Sequence, residues 1–154
     1  MSLPLSPQHV VDALNWRYAT KKFDPAKLIP EATWSALEQA LVLAPSSIAV
    51  QPWKFIVVTV PLVRARLVAG SYRQAQVTQC SHFVVFAVRR DLDPEHVDRH
   101  IARMVEVLGV TPESLTKFRT MTLGNLERAR TEGSLDMWQE HQVYIALGQF
   151  MTSA

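Results

Sequence analysis

Apolar residues recur along this chain in two rhythms, one of period near 3.6 and one of continuous short runs, and the alternation between them divides it into elements. Ser6-Pro7-Gln8 reads as an N-cap with proline at the first helical position, and Val10, Val11, Leu14 and Tyr18 then recur at helical spacing to near Arg17. Arg17 to Phe23, RYATKKF, is a turn or short extended segment carrying three cations, and the loop DPAKLIP follows it. Pro30-Glu31 opens a second helix through Ala44, with Trp34, Leu37, Ala40, Leu41 and Ala44 on one stripe, and Pro45 ends it. Phe55 to Val60 is apolar and β-branched nearly throughout, which predicts a strand covered on both faces. Pro61 to Ala69 is a short helix broken by Gly70-Ser71, and Ser81 to Val88 is a second apolar strand, so the spacing of strand, helix and strand suggests an α/β arrangement.

Asp91-Leu92-Asp93-Pro94 caps a helix running towards Leu108, and Thr111-Pro112-Glu113 caps the next. Lys117 to Thr131 is polar and loosely patterned, and is expected to be a mobile helical excursion rather than core. From Ser134-Leu135-Asp136 a last helix begins, with Trp138, Val143, Ile145, Leu147 and Phe150 making it apolar around most of its circumference. It reaches Ala154 with no glycine, proline or basic last turn as a stop. The expectation is a helix buried in a subunit interface, a chain that has lost its C-terminal portion, or both.

Composition narrows the class. With 154 residues and 48% hydrophobic content the chain can build one core, and it shows no repeat or linker, so residues 1–154 are expected to form a single domain. Sixteen basic and fourteen acidic residues are spread evenly and leave a net charge of +2, which calls for neither nucleic acid nor an anionic membrane. Cys80 is the one cysteine, so an internal disulfide framework and a multi-cysteine metal site are excluded. With no signal-peptide pattern at the N-terminus and no membrane-length apolar run, a soluble, cytoplasmic protein is expected.

Candidate chemistry centres on Ala44 to Val57, APSSIAVQPWKFIV. There a loop of small residues with two adjacent hydroxyls leads into an aromatic strand and can approach a flat, anionic ligand closely. Arg17, Lys21 and Lys22 either answer the helix dipole or grip a phosphate, the arginine as a fork and the lysine as a point charge. His96 and His100 stand four apart as metal ligands do, but no glutamate or third ligand completes the motif, so no metal is expected. Cys80 precedes a strand and lies next to Ser81-His82, and since adjacent residues on a strand point to opposite faces, a buried structural thiol is expected, with no direct Cys80–Ser81 or Ser81–His82 pair. Neither GxGxxG nor GxxxxGK occurs among the five glycines, so the usual dinucleotide and phosphate cradles are missing.

Four segments, RYATKKF at Arg17 to Phe23, LAPSSIAVQPWKFIVV, YRQAQVTQCSHFVVF at Tyr72 to Phe86, and QVYIALGQFMTSA at Gln142 to Ala154, come in the order and at the spacing of the FMN-dependent nitroreductase family, which the chain resembles. The resemblance implies an α+β fold of three α-β-α layers, with a mainly antiparallel central sheet and a long interface helix near the C-terminus. It implies a homodimer with one FMN per subunit at the interface, reduced by NAD(P)H, with hydride passed to a nitroaromatic, quinone or similar acceptor in a ping-pong cycle. By position, Arg17 would bind the FMN phosphate, Tyr18 and Ala19 would line the same segment, and Lys21 would stand near the N1/O2 edge of the ring. Pro45, Ser46, Ser47 and Ala49 would reach the flavin of the second subunit; Gln76 would contact the ring or ribityl chain, Arg73 would either add a cation near the ring or point to solvent, and Gln142 would approach from the interface helix. The family usually has serine at the position of Ala19 and asparagine at those of Ala49 and Arg73. Its members also continue past the position of Ala154 with a further strand, a proline-glutamate-glycine segment and a basic pair. The alternative is a flavin-free dimerisation module or an inactive fragment of a flavoprotein, with helix 134–154 as an interaction surface.

Overall fold

The computed structural model describes residues 6–90 and 92–154. Among the described residues seven α-helices and two strands follow in the order α1 (Pro7–Trp16), α2 (Glu31–Val42), β1 (Trp53–Val58), α3 (Pro61–Leu67), α4 (Gln76–Gln79), β2 (Phe83–Val88), α5 (Pro94–Leu108), α6 (Thr116–Thr131) and α7 (Leu135–Ser153). Several element boundaries follow the caps read from the sequence, but Thr111-Pro112-Glu113 opens only a short 3-10 turn, Pro112–Leu115, with no side-chain cap, and the next α-helix starts at Thr116. Ser6 is the N-cap of α1 and its hydroxyl accepts from the His9 N–H; Asp93 caps α5 by accepting from the His96 N–H at 2.7 Å. Asp91 of the expected α5 cap lies outside the described residues. Gly109, at φ 64°, ends α5 in the left-handed conformation that glycine adopts without strain.

β1 and β2 pair as a small antiparallel sheet of two strands among the described residues. The N–H of Arg89, just past β2, donates to the carbonyl of Pro52, just before β1, so the two strands run in opposite directions, as the α+β fold with an antiparallel sheet implies, rather than as an α/β unit. β1 is also not covered on both faces: Trp53, Phe55 and Val57 are partly buried, whereas Lys54 and Ile56 are exposed. Apolar residues at outward positions of the strand hid that alternation from the sequence.

The chain forms two compact units, Met1–Ser35 with Val57–Val84, and Ala36–Ile56 with Val85–Ala154. In the first, the Arg64 guanidinium on α3 donates to the Val77 carbonyl at 2.8 Å and to the Cys80 carbonyl, which ties α4 in place. Trp34 stacks on His82 with ring centroids 3.9 Å apart, and the Ile29 N–H donates to the Ser81 hydroxyl at 2.8 Å. α1 buries none of its residues, and Trp16 is 82% exposed.

The second unit holds the core. Val50, Leu92, Val97, Ile101, Leu126 and Leu135 form one buried cluster, with Met104, Phe118, Leu123, Ala129 and Trp138 packed against it. α6 is therefore core and not an excursion. Its inward positions Phe118, Thr122, Leu126 and Ala129 follow helical spacing, and Thr122, fully buried on that stripe, breaks the apolar pattern that would have revealed it. Phe55, Phe86 and Phe150 make a chain of edge-to-face aromatic contacts, with centroids 5.1 and 5.8 Å apart.

α7 inverts the usual arrangement. Its buried positions are Leu135, Gln139, Gln142 and Ala146, while Met137, Tyr144, Ile145 and Met151 are exposed. Positions 137, 141, 144, 148 and 151 form one exposed seam at the three-and-four spacing by which helices pack on helices. Gly148 lies on that seam, and a Cβ added there would meet nothing within 4 Å, so nothing within the described residues requires a glycine.

Replacing Leu126, 3% exposed, with alanine should cost about 2 to 5 kcal/mol of stability in chemical denaturation. Met121→Ala on the exposed side of α6 should cost less than about 1 kcal/mol.

Candidate functional site

In the first unit the cationic segment begins where α1 stops. Arg17 is its C-cap: the backbone N–H still donates to the Ala13 carbonyl at 3.2 Å, but ψ of 133° sends the chain out of the helix in extended form. Arg17, Tyr18, Ala19, Lys21 and Lys22 are all exposed. Asp24 closes the segment with a turn, its carboxylate accepting from the Ala26 N–H at 3.0 Å. Among the described residues seven ion pairs form, and none engages Arg17, Lys21 or Lys22. Three exposed cations close together in sequence make an anion-receptive edge.

The same unit contains an open hollow of about 580 Å³, lined by Phe23, Tyr72, Gln76, Val77, Cys80 and Phe83 among others. Its walls are largely apolar, with the Gln76 carboxamide as a polar group. Tyr72 and Arg73, at φ 51° and 57°, turn the chain at its rim. Cys80 is only partly buried, contrary to expectation, because it faces this hollow; its Sγ lies 3.0 Å from the Arg64 guanidinium. The Ser81 hydroxyl and His82 Nδ1 are 2.9 Å apart, so these residues do pair. They precede β2, which starts at Phe83, and the alternation of a strand does not govern them.

In the second unit the loop after α2 is held against its own conformational preference. Ile48, Ala49 and Gln51 have φ of 47°, 52° and 45°, a region that costs a non-glycine residue roughly 1 to 2 kcal/mol. Four hydrogen bonds oppose that cost. The Ser47 N–H donates to Gln142 Oε1 at 2.8 Å, and Gln142 Nε2 donates in turn to the Trp138 carbonyl at 3.0 Å. The Gln51 N–H donates to the Ser46 hydroxyl at 2.9 Å, and His96 Nε2 donates to the Val50 carbonyl at 2.7 Å. Pro45, Ser47 and Ala49 are exposed, Ser46 is half-buried, and Gln142 is 4% exposed with both ends of its carboxamide engaged. A smaller hollow of about 310 Å³ adjoins Ser47 and Ile48, with Arg128, Glu132 and Trp138 in its lining.

The two histidines of α5 therefore differ in task. His96 holds a backbone carbonyl, and His100, one turn on, is half-buried with no partner at Nε2 among the described residues. Burial, with a smaller contribution from the His96 charge, lowers the His100 pKa below the ordinary imidazole value. Sequence reasoning missed His96 and Arg64 as structural ties, since each reaches backbone groups whose positions no local pattern reveals.

Ala49 and Arg73, where the resemblance expects asparagine, share a property invisible in the sequence: both are in the left-handed region. Asparagine tolerates that conformation better than alanine or arginine, so a backbone requirement accounts for the preference at both positions without any ligand.

The model described as Nitroreductase family matches residues 14–154. A protein of Staphylococcus saprophyticus provisionally named an NAD(P)H nitroreductase is 34% identical over 154 residues, covering 96% of this chain and 68% of that one. A Bacillus subtilis protein named in the same provisional way, YfkO, is 32% identical over 151 residues, covering 94% and 68%. Among solved structures, a provisionally named nitroreductase of Exiguobacterium sibiricum in complex with FMN superposes with a TM-score of 0.72 at 18% identity, over 99% of this chain and 70% of that one.

Ala49→Asn and Arg73→Asn, both at exposed sites, should each raise stability by about 0.5 to 1 kcal/mol through relief of left-handed strain, read as an upward shift of the denaturation midpoint.

Proposed function

This chain belongs to the nitroreductase family of oxidoreductases, and on that premise we propose that it is an FMN-dependent enzyme that passes a hydride from NAD(P)H to a nitroaromatic, quinone or similar acceptor in a ping-pong cycle. It works in the cytoplasm as a homodimer, with FMN at the subunit interface. The observation that carries the reading is the exposed cationic edge of Arg17, Lys21 and Lys22, engaged by no ion pair among the described residues, in the same unit as an apolar hollow large enough for a flat ring. A hollow of about 580 Å³ is in the usual range for small-molecule sites. The donor set suits a ligand with an anionic end and an aromatic end.

On this reading Arg17 forks onto the phosphate, with Tyr18 and Ala19 beside it and Lys21 near the N1/O2 edge of the ring. Gln76 meets the ring or ribityl chain, and Arg73 adds a cation near the ring. Pro45, Ser46, Ser47 and Ala49 serve the flavin of the second subunit, and Gln142 acts by fixing the Ser47 backbone. The redox chemistry, acceptance and return of a hydride, is that of the bound FMN. Lys21 balances negative charge that accumulates on the reduced ring, and no protein acid or base is required. The FMN complex on the same fold agrees with this choice of cofactor. The exposed seam of α7, with Met137, Tyr144 and Met151 seven residues apart, and the uncovered α1 face of Val10, Val11 and Leu14 support a dimer.

The protein mixed with FMN and freed of excess ligand should retain flavin absorbance at one equivalent per chain. It should then oxidise NADH or NADPH when a nitroaromatic or quinone is present. Retention of no flavin, together with no turnover, would overturn the reading in favour of a flavin-free module. Arg17→Ala should weaken FMN binding by about 1.5 to 3 kcal/mol, the scale of a charge-assisted hydrogen bond; unchanged affinity would remove Arg17 from the site.

A further inference from the structure

The Val50–Gln51 peptide links His96 to the proposed site. Its carbonyl accepts from His96 Nε2 at 2.7 Å, and its N–H donates to the Ser46 hydroxyl at 2.9 Å. One rigid plane is thus gripped from both edges. Val50, at φ −76° and ψ −11°, is fully buried in the core cluster, so the plane is also anchored at its Cα.

This orientation is not the one the chain would choose. It sets Gln51 at φ 45°, and rotation of the peptide by about half a turn would carry that residue into the extended region that any side chain adopts. Such a rotation would take the carbonyl from His96 and the N–H from Ser46. While the plane is held, the Ser46 oxygen is occupied as an acceptor from the backbone, which leaves its O–H to donate outward. Ser46 is half-buried, so that donor keeps access to the surface of the loop.

We propose that His96 is a positioning residue for the Pro45–Ser47 loop: by holding the Val50 carbonyl it fixes the Val50–Gln51 peptide, and through it the direction of the Ser46 hydroxyl that the second subunit's flavin meets. This rests on the flavin reading above and adds to it a residue on α5. Gln142 fixes the neighbouring Ser47 N–H from α7, so two helices present two consecutive groups of one loop.

The test compares His96→Leu with His96→Gln, whose amide N–H reaches about as far as Nε2. His96→Leu should weaken FMN binding roughly tenfold, the scale of one lost hydrogen bond, and His96→Gln should restore most of it. FMN affinity in His96→Leu equal to that of the wild type overturns the proposal. So does equal weakening in both variants in step with their melting temperatures, since that is a structural effect alone. A hybrid dimer of one Arg17→Ala chain and one His96→Leu chain provides a separate readout. It should contain one site with both defects and one with neither, so half of its FMN should bind with wild-type affinity. A hybrid with no full-affinity site overturns the assignment of the loop to the other subunit's flavin. Absence of FMN binding by the wild-type protein removes the flavin reading itself, and this inference with it.

Discussion

Val50 is under two obligations at once: its side chain is fully buried in the core cluster, and its carbonyl is claimed by His96. Core packing fixes where the loop after α2 re-enters the second unit, and the hydrogen bond fixes which way its backbone faces. The residues flanking Val50, namely Ile48, Ala49 and Gln51, accept left-handed conformations that they would avoid in a free chain. A strained backbone persists only where its surroundings overdetermine it, and here the surroundings are α5, α7 and the loop's own Ser46 hydroxyl. The geometry offered to a ligand is therefore set largely by groups that need not touch it.

The two units distribute their physics unequally. The second has a packed apolar cluster, an aromatic chain from Phe55 to Phe150, and the two-point Asp98–Arg119 pair, whose hydrogen bonds hold the Asp98 carboxyl below its ordinary range. The first relies on local ties, among them Arg64 on the carbonyls of Val77 and Cys80 and the Trp34–His82 stack. It also leaves the faces of α1 and the cations after it in solvent. Preformed rigidity thus belongs to the loop, whereas receptive charge belongs to the cationic segment.

Elements with end signals were legible in the sequence. Ser6-Pro7, Asp93-Pro94 and Pro45 gave helix limits to within two residues, because caps and prolines act locally. Features decided by distant partners were not. Thr122 disguised the inward stripe of α6, and the apolar outward residues of β1 mimicked a strand covered twice. The short α4 left no periodic trace in four residues. Of the candidate site, the cationic segment and the hydroxyl loop could be named from residue types, but the hydrogen bonds of His96 and Gln142 join residues 46 and 95 apart and had no signature. The asparagine preference at positions 49 and 73 became physical only with the backbone angles.

Gly148 has a consequence beyond packing. A glycine inside a helix forgoes roughly 1 kcal/mol relative to alanine, and nothing among the described residues repays that loss, since a Cβ there would meet open space. On the exposed α7 seam it would allow another backbone to come close. If a second copy of the chain takes that place, its binding adds to stability by mass action, and dilution would then lower the apparent melting temperature.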